Sequence, residues 1–375
     1  PNGDLYEKAF AFCDVLIIGA GPTGLMAALT AGRAGADVIL ADEDSIMGGR
    51  LNGETLMIAD QAGADWASEC VTELAMLPNV RLMSRTTVTG AYDQGTYGAL
   101  ERLPQGAYDT HEGLPIECFW RIVAKQTILA AGALERSIAF ADNDRPGIMT
   151  AGAVRTYVNR WGVAPGQKIV VFGNNDDAHR TAQDLVAAGI EVAALVDSRP
   201  EADANGDFPI YAGSMICGSR GRHGLKSVQL QRLDGTTDTI EADCLAVSGG
   251  WNPTVHMTCY MNGRPKWQPE IASFIPVPKT IPGLFAAGAC NGVFSTHRCL
   301  QEGHLAANAA LSALKIKIKK TPIPKAEDQG YSISALWAVP GEARAWVDLQ
   351  NDVTVKDIKQ AAVESYSSVE HMKRY

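Results

Sequence analysis

Eight cysteines, at 13, 70, 118, 217, 244, 259, 290 and 299, contain no CxxC pair and no zinc-ligand spacing. A dithiol redox centre and a structural zinc site are therefore excluded on sequence grounds, and the thiols read as the reduced, mostly buried ones of a cytoplasmic protein. No apolar stretch reaches the roughly 18 residues that a membrane span requires, and no secretory signal is visible, so no membrane association is expected. Positive charge is short as well. The net charge of −9 argues against nucleic acid as a partner, because binding phosphates needs a basic surface. The one basic run, Lys315 to Lys325, reads as a helix cap and the start of a linker. Seven histidines, at 111, 179, 223, 256, 297, 304 and 371, show no metal spacing, and no GxSxG nucleophile elbow occurs. His297 and His304 fit a structural role. No catalytic residue and no metal ligand is assigned. The first residue is Pro1 rather than methionine, which points to an excised piece of something longer.

What is present is concentrated between Asp14 and Arg50, which reads DVLIIGAGPTGLMAALTAGRAGADVILADEDSIMGGR. An apolar strand runs into a glycine turn, a helix and a second strand that ends in acid. Gly19, Gly21 and Gly24 stand at the GxGxxG spacing of a dinucleotide-binding βαβ unit. The first allows the tight turn, the second lets the backbone approach a pyrophosphate, and the third lets helix and strand pack closely. The helix N-terminus then offers N–H groups and a positive dipole end to the phosphates. Asp42, about twenty residues on, can accept hydrogen bonds from the adenosine ribose. Length and apolar content, 375 residues and 46% hydrophobic, suit two or three domains with large cores.

Further along, Asn79 to Gly95 reads as strand then turn, and residues 96 to 120 as a hairpin excursion. In Ala124 to Ser137 an apolar strand leads to the small residues Ala130, Ala131 and Gly132, where a larger side chain would strike the cofactor or the crossing strand. A second βαβ pattern begins at Lys168 and ends at Asp197, but its turn departs from the fingerprint. Gly173 is followed by Asn175 and Ala178 in place of the later glycines, and Asp176 and Asp177 stand at the helix mouth. Carboxylates there would repel a pyrophosphate that the helix dipole attracts, so this reads as a dinucleotide fold whose own site is lost.

Strand, acid, spacer and the run Gly48-Gly49-Arg50 resemble the adenine-dinucleotide domain of the two-dinucleotide-binding flavoprotein superfamily. Pro278 to Leu311 resembles that superfamily's closing motif, a strand ending in Gly-Asp before a long helix, with Gly288-Ala289 here. In relatives that hold FAD the aspartate bonds the ribityl chain. Losing such a charge-assisted bond forgoes roughly 1.5 to 3 kcal/mol, which favours NAD over FAD. Arg145 to Leu185 and Ala246 to Met257, with the tail Trp346 to Tyr375, are similar to the α subunit of heterotetrameric sarcosine oxidase. The resemblance covers nearly the whole chain, but the family's N-terminal ferredoxin-like segment and its folate domain are not here.

That resemblance implies the fold class: α/β, the two-dinucleotide-binding (FAD/NAD(P)-binding) fold, a Rossmann-like domain with a second one inserted. It implies nucleotide contacts at Gly19, Gly21, Pro22, Thr23, Gly24, Asp42, Glu43, Gly49, Arg50, Val88, Thr89, Gly132, Gly288 and Ala289. Arg50 would add positive charge at the pyrophosphate; Glu43 is either a contact or a solvated surface acid. It also implies a partner β subunit that carries FAD and oxidises sarcosine, FMN at the α/β interface, hydrogen peroxide as a product, small subunits, and tetrahydrofolate only through the missing C-terminal domain. NAD would then be a structural ligand. The element order places a nucleotide domain at 12–150 plus 266–315, an inserted domain at 151–265, and a linker and helix at 316–375. A stand-alone FAD enzyme using NAD(P)H, a subunit of an opine- or proline-type amine dehydrogenase, and a noncatalytic nucleotide-braced scaffold are the alternatives.

Overall fold

The computed structural model describes residues 6–102 and 115–374. His111 and the tip of the hairpin expected over 96–120 lie outside the described residues. The chain divides into two compact units: residues 1–134, 252–269 and 273–330 make the first, and residues 135–251, 270–272 and 331–375 the second.

The first unit contains β1 (Tyr6–Ile18), α1 (Pro22–Ala34), β2 (Val38–Ala41), α2 (Gly63–Met76), β3 (Val80–Met83), β4 (Thr86–Tyr92), β5 (Thr96–Arg102) and β6 (Glu117–Leu129), then a closing strand Leu284–Ala286 and a closing helix Thr296–Ala313. The sheet runs β3-β2-β1-β6-β5-β4, and the closing strand pairs in parallel with Thr127–Leu129 of β6. β1, β2, β3 and β6 are parallel, while β4, β5 and β6 form an antiparallel meander. Val15 to Ile18 are buried on both faces, as a central parallel strand demands. Ahead of them β1 extends back to Tyr6, in register with Glu117 onward of β6. There Ala11 and Cys13 are buried while Phe10 and Phe12 are exposed, a two-residue alternation that the apolar run after Asp14 overshadows. The core on one face packs Leu25, Met26 and Leu29 of α1 with Leu300 and Ala307 of the closing helix; the other packs Tyr97, Ala99 and Ile122 of the meander.

The second unit carries β7 (Ile148–Thr150), α3 (Ala151–Trp161), β8 (Lys168–Gly173), α4 (Asp176–Ala187), β9 (Glu191–Asp197), β10 (Ile210–Ala212), β11 (Met215–Arg220), β12 (Ser227–Gln231), β13 (Thr237–Glu241) and β14 (Cys244–Ser248). A parallel sheet runs β7-β14-β8-β9-β10, and β11-β12-β13 form a separate antiparallel sheet. Residues 135–150 go with this unit rather than with the nucleotide domain, because Ile148–Thr150 pairs with Leu245–Val247.

The stretch 316–375 is shared between the units instead of forming a third piece. Within the first unit the basic run ends a helix, as the sequence suggests: Lys319 Nζ donates to the Arg33 carbonyl at the C-terminus of α1 (2.7 Å), and Ala59 N donates to the Lys325 carbonyl (2.8 Å). Within the second, Asn143 exchanges hydrogen bonds with the Trp346 backbone (2.9 and 2.8 Å). The helix expected within 316–375 is two: α5 (Val355–Val363), started by a Thr354–Asp357 capping box, and a short turn Val369–Met372. Ser365 at φ +72° breaks the run between them.

Candidate functional site

At the carboxyl end of β1 the three glycines are each required by a different constraint. Gly19 has φ +97°, and a Cβ there would stand 2.4 Å from the Ala130 carbonyl oxygen. A Cβ on Gly24 would stand 1.8 Å from the Gly19 carbonyl oxygen, so helix and strand touch through bare backbone. A Cβ on Gly21 would meet nothing within 4 Å, which leaves room for a ligand to reach this backbone. α1 begins with Pro22, has no side-chain cap and no acid in its first turn. Its first turn therefore sets no side-chain cap and no carboxylate against the positive end of the helix dipole, where an anion would be favoured. Gly49, at φ +55°, closes on the turn, since its Cβ would stand 2.9 Å from the Gly21 Cα.

Asp42 sits beside this turn. Its Oδ2 accepts from Ala20 N (2.5 Å) and its Oδ1 from Asp44 N (2.8 Å), so the carboxylate braces the loop. Gly288 closes the cradle from the other side: at φ +73°, a Cβ would lie 2.1 Å from Thr23 Oγ1. Ala289 follows in the same one-turn 3-10 helix. Gly132, at φ +72°, follows the end of β6 and accepts from Thr254 N (3.1 Å).

Four predicted positions stand differently. Arg50 is held by Glu54, with Nε donating to Oε1 at 2.7 Å, and it also reaches the Phe294 carbonyl (3.4 Å); its charge is thus already answered within the chain. Glu43 is exposed. The Val88 side chain is buried in the meander core, and the Thr89 hydroxyl donates to the Gly98 carbonyl (3.3 Å), so only backbone or edge contacts remain for these two. Sequence reasoning missed Glu302 on the closing helix. Its Oε2 accepts from Gly288 N (2.7 Å), and burial pushes its carboxyl pKa up despite that bond and one from Asn291. Glu302 fixes the Gly288 turn from a position fourteen residues on, a spacing that no local motif announces.

The second turn is organised in the opposite sense. Asn175 caps α4, accepting from Asp177 N (3.0 Å), and Asp176 N donates to the Ser332 carbonyl (3.2 Å). Ser332 N returns a bond to Asp176 Oδ2 (2.7 Å), and Ser334 N donates to the Asn174 carbonyl (3.0 Å). Asp177 is paired with Arg180 and with the Trp251 indole. Asp197, the terminal acid, is engaged by Arg199 (2.8 Å) and by His179 (2.5 Å). The N–H groups that would cradle a phosphate are taken by the chain itself.

Residues 342–375 match the family model described as sarcosine oxidase A3 domain, and residues 14–110 match that of FAD dependent oxidoreductases. The sarcosine oxidase alpha subunit of Rhizobium meliloti is 45% identical over 99% of this chain, and that of Corynebacterium sp. strain P-1 is 36% identical over the same share. The chain belongs to the sarcosine oxidase alpha-subunit family. It spans about two fifths of those relatives, 38% and 40% of their lengths.

Among solved structures, L-proline dehydrogenase from P. horikoshii superposes with a TM-score of 0.73 at 20% identity, over 98% of this chain and 70% of that one. Lactococcus lactis thioredoxin reductase superposes with a TM-score of 0.62 at 18% identity, over 80% and 98%. These establish the two-dinucleotide-binding fold for this alpha-subunit family member. Among its described residues no group of three or more His, Cys, Asp or Glu side chains is placed to hold a metal ion, and no helix is long and apolar enough to cross a membrane. All eight cysteines are free thiols; burial pushes those of Cys13, Cys70, Cys244 and Cys290 up to about 12. His304 is tied to Thr30 (3.2 Å) and Asn308 (2.8 Å) within the first unit, and His297 to Gln301 (2.9 Å).

Proposed function

We propose that this chain is the dinucleotide-holding part of the larger, alpha-type polypeptide of a sarcosine oxidase and that its first unit grips NAD. The carrying observation is the uncapped, acid-free start of α1 set against Gly19, Gly21 and Gly49, with Ala289 at the distal end where a flavin-binding relative would place a carboxylate. Gly19, Gly21, Thr23 and Gly24 would hold the pyrophosphate, and Asp42 the adenosine ribose. Pro22 and Gly49 shape that cradle, and Val88, Thr89, Gly132, Gly288 and Ala289 line its remainder. Arg50 would act through the loop it holds with Glu54, and Glu43 would reach the ribose only from the exposed rim. The nucleotide braces the fold. In the assembled enzyme, a partner beta subunit bearing FAD, with FMN at the shared interface, oxidises sarcosine. The products are hydrogen peroxide and a one-carbon unit captured as methylene-tetrahydrofolate on a domain outside this chain. Small subunits complete the assembly, and a cytoplasmic location suits the eight free thiols.

A second reading has support of its own. The match to FAD dependent oxidoreductases over residues 14–110 favours FAD in the same cradle. That stretch, however, holds the adenosine diphosphate half, which both nucleotides share, and stops short of Ala289. A partner of opine type has weaker support: an opine oxidase subunit of Agrobacterium tumefaciens is 26% identical over 83% of this chain and 67% of that one. Denaturing the purified protein and weighing the released nucleotide tests the proposal. The expected result is NAD, one equivalent per chain; FAD with a flavin absorption band would replace the first reading by the second.

A further inference from the structure

The extension of β1 back from Asp14 carries a surface that the nucleotide site does not use. Along one face of this strand the side chains run Lys8, Phe10, Phe12, Asp14, and the register sets Arg121 and Val123 of β6 beside the two phenylalanines. Phe10 and Phe12 are 63% and 69% exposed, and Phe119 and Tyr92 extend the aromatic face across the meander, both closing over Gly98. Arg121 stands over the Phe10 ring at 5.5 Å. The strand's other edge is open as well. β2 pairs with β1 only from Val15, so among the described residues the backbone of Tyr6 to Phe12 is paired on the β6 side alone. Long, aromatic, open edges are sites where a further strand adds.

Beside Phe12 and Val123 a cleft of about 690 Å³ opens at the amino-terminal end of the parallel strands, opposite the nucleotide turn. Asp14 and Asp37 lie in it. Asp14 is answered by Lys125 (2.8 Å) and by Asp37 N (3.0 Å). No described residue donates a hydrogen bond to the Asp37 carboxylate, and its slight withdrawal from solvent together with the Asp14 charge raises its pKa. One ammonium, on the exposed Lys125, faces two carboxylates, so the cleft is short of one positive charge. At the far end of the aromatic face Lys8 supplies positive charge instead, with Arg121 next to it beside Phe10. The strip is therefore basic, aromatic, aromatic, acidic in order.

We propose that this strip docks an extended segment of a partner polypeptide with the complementary order, acidic, apolar, apolar, basic, whose Lys or Arg side chain enters the cleft at Asp37. The inference rests on reading this chain as one subunit of a larger oxidase. Apolar centre with charged ends is the anatomy of a specific interface, and aromatic anchors carry its energy.

The test uses the complete polypeptide, tagged in its native cell, with photoreactive benzoylphenylalanine in place of Phe12, and maps the adduct by mass spectrometry. An adduct on a second subunit, within a few residues of a Lys or Arg, is the expected result. Asp37→Lys, alone and with Phe10→Ser and Phe12→Ser, should cut the yield of that co-isolated partner tenfold or more while far-ultraviolet dichroism and melting stay unchanged, since these side chains are exposed. Exchanging the partner's base for Asp should restore assembly with Asp37→Lys. Adducts confined to another copy of this chain or to lipid, or normal assembly of the variants, would overturn the docking surface and leave the subunit reading standing. A wild-type chain that brings down no second polypeptide overturns both.

Discussion

Gly24 shows how sharply one position is constrained. Its missing side chain leaves 1.8 Å between an ideal Cβ and the Gly19 carbonyl oxygen, and backbone cannot rotate out of the way. Gly24→Ala should cost about 1–3 kcal/mol in urea unfolding and lower nucleotide retention about tenfold or more, because α1 must move away from the turn it completes. Glu135 in the second unit offers a pH test. Its carboxylate accepts from Gly152 N (2.5 Å) and Ser248 Oγ (2.8 Å), and burial pushes its pKa up to about 7, with Asp177 adding to the rise and Arg155 opposing it. A raised carboxyl pKa means that the folded state holds the proton more tightly. Its stabilising contribution is full below the ordinary value of 4.5 and is lost as pH climbs through 7. Wild type should therefore lose on the order of 3 kcal/mol between pH 4.5 and 8 from this group. Glu135→Gln should remove that slope; identical pH profiles of melting temperature for the two proteins would refute the assignment.

At the scale of elements, the two βαβ turns begin with similar sequence patterns and end in opposite states. The first is bare because α1 has no cap; the second is closed because Asn175 caps α4 and the segment Tyr331 to Ser334 hydrogen-bonds across it. Ser334→Pro removes the donor to the Asn174 carbonyl. Melting of the second unit should fall by about 1–3 kcal/mol in stability, while the nucleotide content of the first stays as in wild type. A drop in bound nucleotide would instead tie the segment to the first site. Much of this was legible beforehand. GxGxxG, the acid at 42 and the aspartates at 176 and 177 follow local rules of spacing and charge. The closing segment was not, since residues 331–334 lie more than 150 positions from the turn they cover and carry no motif. The same holds for Glu302, whose bond to Gly288 is a matter of how the closing helix packs on α1. The expected C-terminal helix failed for a local reason, a left-handed backbone at Ser365 that periodicity does not reveal.

For the whole chain, hydrophobic patterning and glycine spacing were enough to specify the two βαβ units and the leading glycine turn, because each depends on neighbours within about forty residues and on backbone sterics common to all proteins, while the fold class followed from the family resemblance. Tertiary structure alone decided where the units divide, since β7 joins its sheet by pairing with a strand nearly a hundred residues later. It also decided that residues 331–334 close the second turn, and that the amino-terminal half of β1 presents aromatic side chains beside an acidic cleft. Side-chain partners and exposed faces follow from which distant segments are brought together, and that information is spread over the chain instead of written at any one position.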